Sequence, residues 1–386
     1  MKIGISSIWL KYPSTGIGQS FIHLLKALEE VDQNNEYILL GPQSTPWGKV
    51  VGSRFTVQTA SVPSFAARKK ITEHMIWEQF TGPAVARKVG VDLFHIPYFA
   101  PPLISRSPTI ITIHDVIRLL LPSYRVGTKR KLYLDLVSRA ARKASLIITI
   151  SQHARQDIVN TLNIPPERIR VIYLAAGDEF SPVLDPVVLA ETRSRYGLND
   201  RYILYLGGLD QRKNVLQVVR AFAALCRQSD DSHLQLFIAG DPDKRSGPLF
   251  PDPRPVAAEL GITNQIIYRF VKEEDKAAIY SGASLFVFPS LYEGFGLTPL
   301  EAMSCGTPVI CSNCSSLPEV VGNAAISLDP HDTQAWVQAM KSVLNNPTLQ
   351  ADLRDRGLRR SAQFTWRKSA AETLAVYEEA LAQSRK

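Results

Sequence analysis

Short apolar, β-branched runs alternate along this chain with longer segments in which apolar residues recur at helical spacing. The runs in the first half have the length and composition of buried parallel strands. They span 2–7, 36–41, 92–96, 109–114, 146–150 and 170–173. Helical periodicity appears over 17–28, 132–144 and 154–162. This alternation predicts a doubly wound α/β domain.

A second series of the same kind follows a break in both periodicities. Residues 175–186 carry two prolines and a glycine, which favours a domain boundary there. The later strand-like runs span 202–206, 234–239, 266–271, 285–288 and 308–312. We therefore predict two domains, 1–180 and 181–365, and a last helix within 366–386 that packs back on the first domain. Ligands bind outside the carboxyl ends of such strands, so two facing domains predict one cleft.

Size and charge narrow the interpretation. With 386 residues and 45% hydrophobic composition, the chain can bury two cores. Residues 1–175 hold 22 Lys and Arg against 11 Asp and Glu, so the first half carries the excess of the +8 net charge. The basic residues cluster near 68–70 and 128–143. Solvated helix faces and an anionic membrane surface both remain open as explanations. Nucleic acid is not expected, because no nucleic-acid-binding motif accompanies the charge.

Neither a membrane span nor a metal site is predicted. The apolar runs are far shorter than a spanning helix, and residues 1–10 resemble a first strand rather than a leader. Cys226, Cys305, Cys311 and Cys314 are too few and too unevenly spaced for a disulfide framework. The 311/314 pair has zinc-like spacing but lacks a second ligand pair. We expect a cytoplasmic protein, with association at the inner face of the membrane as an open extension.

The strongest chemical signal follows the run at 285–288. Glu293 and Glu301 stand eight residues apart, and Gly294 and Gly296 lie between them on a predicted loop before a helix. Glycines let the chain approach a ligand closely, and free amides at a helix N-terminus suit a diphosphate. We therefore expect both glutamates to face an anionic ligand.

A purely structural interpretation of the same stretch remains open. Thr298, Pro299 and Glu301 have the spacing of a capping box with proline at the first helical position. The two interpretations are compatible. Glu293 is outside the capping box and has no obvious packing role, which favours function.

Other candidates lie at predicted strand ends. Arg212 and Lys213 precede a helix and are suited to clamp phosphate oxygens. Gly16 and Gly18 lie between the first strand and a helix, another place where amides meet phosphate. His114 ends the run at 109–114 and is a candidate sugar ligand, although a structural histidine is the common alternative.

Together these residues resemble glycosyltransferase family 4. The specific part is Glu-Gly-Phe-Gly-Leu-Thr-Pro-Leu-Glu-Ala-Met over 293–303, followed by Cys-Gly-Thr-Pro-Val over 305–309, and the similarity runs over most of the chain. The resemblance implies the GT-B fold, in which two Rossmann-like, doubly wound domains face a central cleft. Residues 1–180 would form the acceptor side and 181–365 the nucleotide-sugar-binding domain.

The resemblance also implies roles for individual residues. Glu293 would lie at the donor sugar and Glu301 would hold the ribose hydroxyls. Gly16 and Gly18 would lie near the diphosphate, and His114 would match the family's histidine near the transferred sugar. The residues implied to contact sugar and diphosphate are Gly294, Phe295, Gly296, Leu297 and Thr298.

One position departs from the pattern. Many members have arginine directly after Gly207, where this chain has Gly208. Lys213 still matches the family's lysine, and we hypothesise that Arg212 supplies the missing charge. This loop, with His114 and Gly16, is similar to the mannosyl- and rhamnosyltransferase-like branch, so GDP-mannose is the preferred donor. No cofactor is expected beyond this donor substrate.

The implied reaction is a metal-independent, retaining transfer of a hexose to a glycan or lipid-linked acceptor. No carboxylate pair can be assigned as nucleophile and acid in the manner of retaining glycosidases, which favours front-face transfer. Arg212, Lys213 and the helix N-terminus would then stabilise the departing diphosphate. A sugar-nucleotide epimerase of similar fold and a non-catalytic sugar-nucleotide-binding protein remain alternatives.

Overall fold

The chain forms two compact units in a computed structural model. The structure describes residues 1–47, 52, 54–63, 70–124, 127–228, 231–244 and 247–385. Arg68 and Lys69, from the first basic cluster, lie outside the described residues. One unit comprises Met1–Leu174 with Thr365–Lys386, and the other comprises Ala175–Phe364. The first unit thus ends at Leu174 rather than at the predicted 180.

A seven-stranded sheet forms the centre of the first unit. Its strands pair in parallel in the order β3-β2-β1-β4-β5-β6-β7. They are β1 (Lys2–Ser6), β2 (Glu36–Pro42), β3 (Phe55–Ala60), β4 (Leu93–Ile96), β5 (Thr109–Ile113), β6 (Leu146–Thr149) and β7 (Ile169–Val171). The inner strands β4, β5 and β6 are buried along their whole length, which matches their largely apolar composition.

Helices cover this sheet. They are α1 (Gly16–Val31), α2 (Lys70–Ile76), α3 (Gly82–Val89), α4 (Ile117–Leu120), α5 (Thr128–Ala141) and α6 (Gln152–Leu162). A π-helical turn, Trp77–Thr81, joins α2 to α3. Periodicity alone does not predict this turn, because one inserted residue shifts the apolar face within a continuous helix.

The second unit repeats the design with six parallel strands in the order β10-β9-β8-β11-β12-β13. The strands are β8 (Tyr202–Leu206), β9 (Gln235–Ala239), β10 (Ile266–Tyr268), β11 (Leu285–Phe288), β12 (Val309–Ser312) and β13 (Ile326–Leu328). The helices are α7 (Pro186–Tyr196), α8 (Val215–Cys226), α9 (Arg254–Glu259), α10 (Lys276–Gly282), α11 (Leu297–Ser304), α12 (Leu317–Val321), α13 (Thr333–Asn345) and α14 (Pro347–Ser361). The predicted α/β class, with two parallel sheets, is confirmed.

The last helix, α15 (Trp366–Ser384), belongs to the first unit. It packs on α1, where the Trp366 ring stacks on His23 with a centroid distance of 5.4 Å. Tyr377 reaches the sheet, and its hydroxyl lies 2.7 Å from Nδ1 of the fully buried His95 on β4. Burial lowers the pKa of His95 to about 3, so this contact is made by a neutral imidazole.

Among the helices that the structure describes, none is long and apolar enough to cross a membrane.

Candidate active site

A carboxylate with three hydrogen-bond donors lies on the loop between β11 and α11. One oxygen of Glu293, Oε1, is 2.7 Å from Nζ of Lys213 and 2.9 Å from Nη1 of Arg212. The same oxygen accepts a hydrogen bond from the hydroxyl of Ser290. Glu293 is 9% exposed, so these contacts form largely away from water. The structure thus brings together three sequence-predicted site residues.

The two cations outweigh the effect of burial on Glu293. Burial raises the pKa of a carboxyl, because it disfavours the charged form. Lys213 and Arg212 act in the opposite direction, and they hold the pKa of Glu293 below its ordinary value of 4.5. Glu293 is therefore ionised at neutral pH.

Lys213 comes from a short turn at the carboxyl end of β8. Residues Gln211–Lys213 form a single 3-10 turn, which ends at Asn214 in the left-handed conformation (φ 55°). Asparagine tolerates this conformation better than most residues. The ammonium of Lys213 lies 4.7 Å from the centre of the Phe288 ring on β11. The Phe288 ring and Glu293 both lie close to Lys213 because β8 and β11 are neighbouring strands.

Arg212 joins the same two loops through both its backbone and its side chain. Its carbonyl oxygen accepts from the amide of Leu291 at 2.7 Å, and its guanidinium donates to the carbonyl oxygen of Tyr292. Asp210 lies 3.5 Å from its Nε. The guanidinium is therefore fixed by neighbours on two sides, besides Glu293.

A serine pair after β12 holds the Glu293 loop from the other side. The hydroxyl of Ser315 accepts from the amide of Glu293 at 2.9 Å, and Ser315 has a left-handed φ of 52°. Ser316 is fully buried, and its hydroxyl lies 2.9 Å from the carbonyl oxygen of Glu293 and 2.6 Å from that of Phe295. Neither serine was predicted from the sequence. Their position three and four residues after a parallel strand was the available signal.

A glycine whose conformation disfavours other residues immediately precedes helix α11. Gly296 has a φ of 128°, and a Cβ there would lie 3.0 Å from a methyl group of Leu317. No side chain caps this helix. The capping-box interpretation of Thr298 is therefore wrong, since Thr298 lies inside the helix and Gly296 precedes it. The amides of Leu297 and Thr298 fall in the first turn, where no intrahelical acceptor exists, and such amides favour an anion.

Glu301 lies on α11 in a different electrostatic setting. Its Oε2 accepts from the hydroxyl of Tyr280 at 2.9 Å, so it does not close a capping box. Burial raises the pKa of Glu301 to about 7, although Lys276 and the Tyr280 hydroxyl act to lower it. The two glutamates of the motif therefore differ in charge state near neutral pH.

The predicted glycines of the first unit open α1. Gly18 is held there sterically, because a Cβ would lie 2.1 Å from the carbonyl oxygen of Tyr12. Its amide donates to the hydroxyl of Thr15, the N-cap residue, at 3.1 Å. Gly16 is exposed, and a Cβ there would meet nothing within 4 Å. Packing thus explains Gly18 but not Gly16.

His114 follows β5 and lines a cavity of about 40 Å³ in the first unit. The other lining residues include Phe21, Thr112 and Trp366. Its Nδ1 is buried and has no hydrogen-bond partner among the residues that the structure describes. Burial lowers the pKa of His114 to about 4, so the ring is neutral at pH 7. A cavity of this size holds a water molecule or two rather than a sugar.

Each half of the chain matches a known family. Residues 14–176 match the profile described as Glycosyltransferase Family 4, and residues 191–360 match Glycosyl transferases group 1. The O-antigen chain mannosyltransferase B of Escherichia coli is 29% identical over 388 residues, which cover 98% of this chain and 100% of that protein. The serotype-specific mannosyltransferase WbdA of Escherichia coli is 33% identical over 269 residues, which cover 68% of this chain and 32% of WbdA.

A solved structure supports the same assignment at the level of fold. Anabaena HepE, crystallised with UDP and glucose, superposes with a TM-score of 0.74 at 16% identity, over 98% of this chain and 99% of that chain. Together, the two family profiles reach from the first loop of one unit to the last helix of the other. The chain therefore belongs to glycosyltransferase family 4 and is a glycosyltransferase with the GT-B fold.

Proposed function

We propose that the chain transfers a mannosyl residue from GDP-mannose to a glycan acceptor, with retention of anomeric configuration. The observation that carries the proposal is the Glu293 cluster, where Lys213 and Arg212 lie beside the uncapped start of α11. Two cations and a helix N-terminus are suited to a diphosphate. The mannosyl specificity is supported by the names of the two Escherichia coli relatives.

Glu293 is poorly suited to be a nucleophile. Two cations and a hydroxyl contact one of its oxygens, and the cations hold its pKa below the ordinary value, which weakens the carboxylate as a nucleophile. This favours front-face transfer over a covalent glycosyl-enzyme. In that step, the bond from the anomeric carbon to the diphosphate oxygen breaks while the acceptor oxygen bonds to the same face. The acceptor proton passes to the departing phosphate oxygen, whose charge Lys213 and Arg212 stabilise.

A thermal-shift screen tests the donor. GDP-, UDP-, dTDP- and ADP-sugars are compared without added metal, and we expect GDP-mannose to raise the Tm by the largest amount. A ligand at about 100 times its Kd stabilises by about 2.7 kcal/mol. Lys213→Ala should abolish the shift, and Lys272→Ala, at a lysine that is 64% exposed, serves as the matched control. A shift of equal size in Lys213→Ala would contradict the assigned phosphate contact.

Product analysis separates the alternatives. NMR of the product should show the anomeric configuration of the donor, and an inverted product would refute front-face transfer. An epimerase would convert the donor without any acceptor. Donor binding without turnover across an acceptor panel would favour a non-catalytic binding protein.

The first unit also presents a surface suited to an anionic membrane, where a lipid-linked acceptor would lie. Phe80, Ile104 and Leu132 are 70%, 78% and 71% exposed. Their segments are tied together, because the side-chain amide of Gln79 bonds the carbonyl oxygen of Pro101 at 3.0 Å and Tyr133 donates to Glu78 next to Phe80.

Exposed Lys129, Lys131 and Arg106 flank these apolar residues in sequence. Exposed apolar side chains beside basic ones are typical of surfaces that bind anionic lipid. We expect the protein to float with vesicles of phosphatidylglycerol at low salt and the double variant Phe80→Ser, Leu132→Ser to remain in solution. Phe270→Ser, at a phenylalanine that is 60% exposed in the second unit, is the control. Equal flotation of all variants would exclude this surface.

A further inference from the structure

An aromatic cluster that the donor chemistry does not use lies where β1 ends. The Trp9 ring packs edge-on against Tyr12 and His74, with centroid distances of 5.7 and 6.2 Å. Tyr12 and His74 lie 5.6 Å apart, and Tyr98 lies 5.9 Å from Trp9. The first three side chains are partly exposed, whereas Tyr98 is 2% exposed. Aromatic surface thus remains open to solvent at the carboxyl edge of a parallel sheet, where such folds bind ligands.

The cluster rests on a rigid, hydrogen-bonded base. The hydroxyl of Ser6, the last residue of β1, lies 2.8 Å from that of Tyr98 and accepts from the indole of Trp77 at 3.2 Å. Trp77 is fully buried and begins the π-helical turn. Such turns are rare overall, but they occur often at functional sites because they redirect side chains. Tyr98, against which Trp9 packs, is therefore held in place, and a pre-ordered base lowers the entropic cost of binding.

Polar groups surround the rings. The Tyr12 hydroxyl lies 3.2 Å from Nε2 of His74, and Oε1 of Glu78 lies 3.9 Å from the other ring nitrogen. Burial raises the pKa of Glu78 to about 8, so its carboxyl is mostly protonated at pH 7 and can donate as well as accept. The buried Nε1 of Trp9 has no acceptor in the described part of the chain.

Apolar ring faces bordered by hydroxyl, imidazole and carboxyl groups match the chemistry of a pyranose, which has C–H faces and hydroxyl edges. We propose that Trp9, Tyr12 and His74 form a subsite for a pyranose ring of the acceptor. The inference rests on the proposed function.

The cluster lies beside the start of α1. The carbonyl oxygen of Tyr12 lies so close to Gly18, in the first turn of α1, that a Cβ on Gly18 would be 2.1 Å from it. A sugar on the Tyr12 ring would therefore lie next to the N-terminus of α1, at the carboxyl edge of the first unit's sheet, where such folds bind ligands.

Saturation-transfer NMR tests the subsite with methyl α-D-mannopyranoside as the probe. Tyr12→Leu and Trp9→Leu keep apolar bulk but remove the aromatic faces, and we expect each to raise the Kd of the probe about three- to tenfold. The Kd of GDP, measured by calorimetry on the same samples, should change less than about twofold. Phe270→Leu removes an exposed aromatic ring of the second unit and should change neither constant.

The two readouts separate the two proposals. Failure of the wild-type protein to bind GDP would contradict the proposed function. A protein that binds GDP but gives no saturation transfer from the mannoside, or whose leucine variants bind it as the wild type does, would overturn the subsite. A Kd for GDP that rises in parallel with that of the probe would show a structural role for these rings and would also overturn it.

Discussion

Glu293 is the only counter-charge that contacts both Lys213 and Arg212 among the described ion pairs, so its removal is the most informative single change. Glu293→Gln keeps the shape of the side chain and one acceptor oxygen but removes the negative charge. In the variant, the positive charges of Lys213 and Arg212 repel each other without this carboxylate to offset the repulsion. We expect the variant to fold, because the surrounding backbone contacts of Ser315 and Ser316 do not require the carboxylate.

The structure sets the size of the expected loss. The side chains of Glu293, Arg212 and Lys213 are 12%, 14% and 13% exposed, so solvent screens them little. Removing one partner of a buried ion pair costs about 3–5 kcal/mol. Asp210, at 3.5 Å from Arg212, and the glutamine oxygen offset part of this cost, which leaves about 2–4 kcal/mol. For a unit of this size, the Tm should fall by about 5–15 °C.

Differential scanning calorimetry of the wild type and Glu293→Gln checks this value. The folded pKa of Glu293 is depressed, so its contribution is present above pH 4.5 and is lost as the pH falls through the folded pKa. The Tm difference should therefore be constant from pH 6 to pH 8. Glu274→Gln is the control, since that carboxylate is 71% exposed. A Tm difference below about 1 °C would refute the reasoning that the carboxylate offsets two buried cations.

Three further changes test other parts of the structure. Gly18→Ala should lower the Tm, because the new Cβ would lie 2.1 Å from a backbone oxygen, whereas Gly16→Ala should not lower it. Equal Tm values for the two variants in calorimetry would contradict the steric assignment. Glu301 has a folded pKa of about 7, above its ordinary 4.5. The free energy of unfolding of the wild type should therefore fall by up to about 3 kcal/mol as the pH rises from 4.5 to 7. In Glu301→Gln, urea unfolding should show a smaller fall in the free energy of unfolding over this pH range. A pH profile equal to that of the wild type would exclude Glu301 as the source of the fall. Tyr377→Phe should cost about 1–3 kcal/mol by leaving Nδ1 of the buried His95 unpaired, and a neutral result in urea unfolding would show that the contact contributes nothing.

The sequence predicts eleven of the thirteen strands in the described residues, and the two that it misses, β3 and β13, each lie at one edge of a sheet. Each predicted apolar run overlaps a strand in the structure. The edge strand β3, Phe55–Ala60, has a mostly exposed and polar face, so its composition does not distinguish it from a loop. The other unpredicted strand, β13, has only three residues, all half-buried. Periodicity detects burial on both faces, and neither β3 nor β13 has it.

The candidate site could be predicted in its membership but not in its contacts. Glu293 and Lys213 are recognisable because each follows a buried strand. Their convergence on one oxygen depends on the pairing of β8 with β11, which links residues 80 positions apart. The wrong capping-box interpretation has a related cause. The sequence of Thr298 and Glu301 fits a cap, but the left-handed Gly296 starts the helix earlier, and Tyr280 takes the carboxyl of Glu301.

The different charge states of Glu293 and Glu301 bear on the kind of ligand that suits the second unit. Glu293 and Asp210 balance the charges of Arg212 and Lys213, so the cluster is close to neutral and repulsion between the two cations is offset. A diphosphate then gains attraction only where it can compete for these cations, which it does with several oxygens at once. A second ionised carboxylate nearby would oppose its approach. Glu301, with its pKa of about 7, carries much less negative charge, and its carboxyl suits neutral hydroxyls such as those of a ribose. The loop of this motif thus suits an anion and its helix suits neutral hydroxyls, a combination that matches the proposed nucleotide sugar better than either a free phosphate or a free sugar.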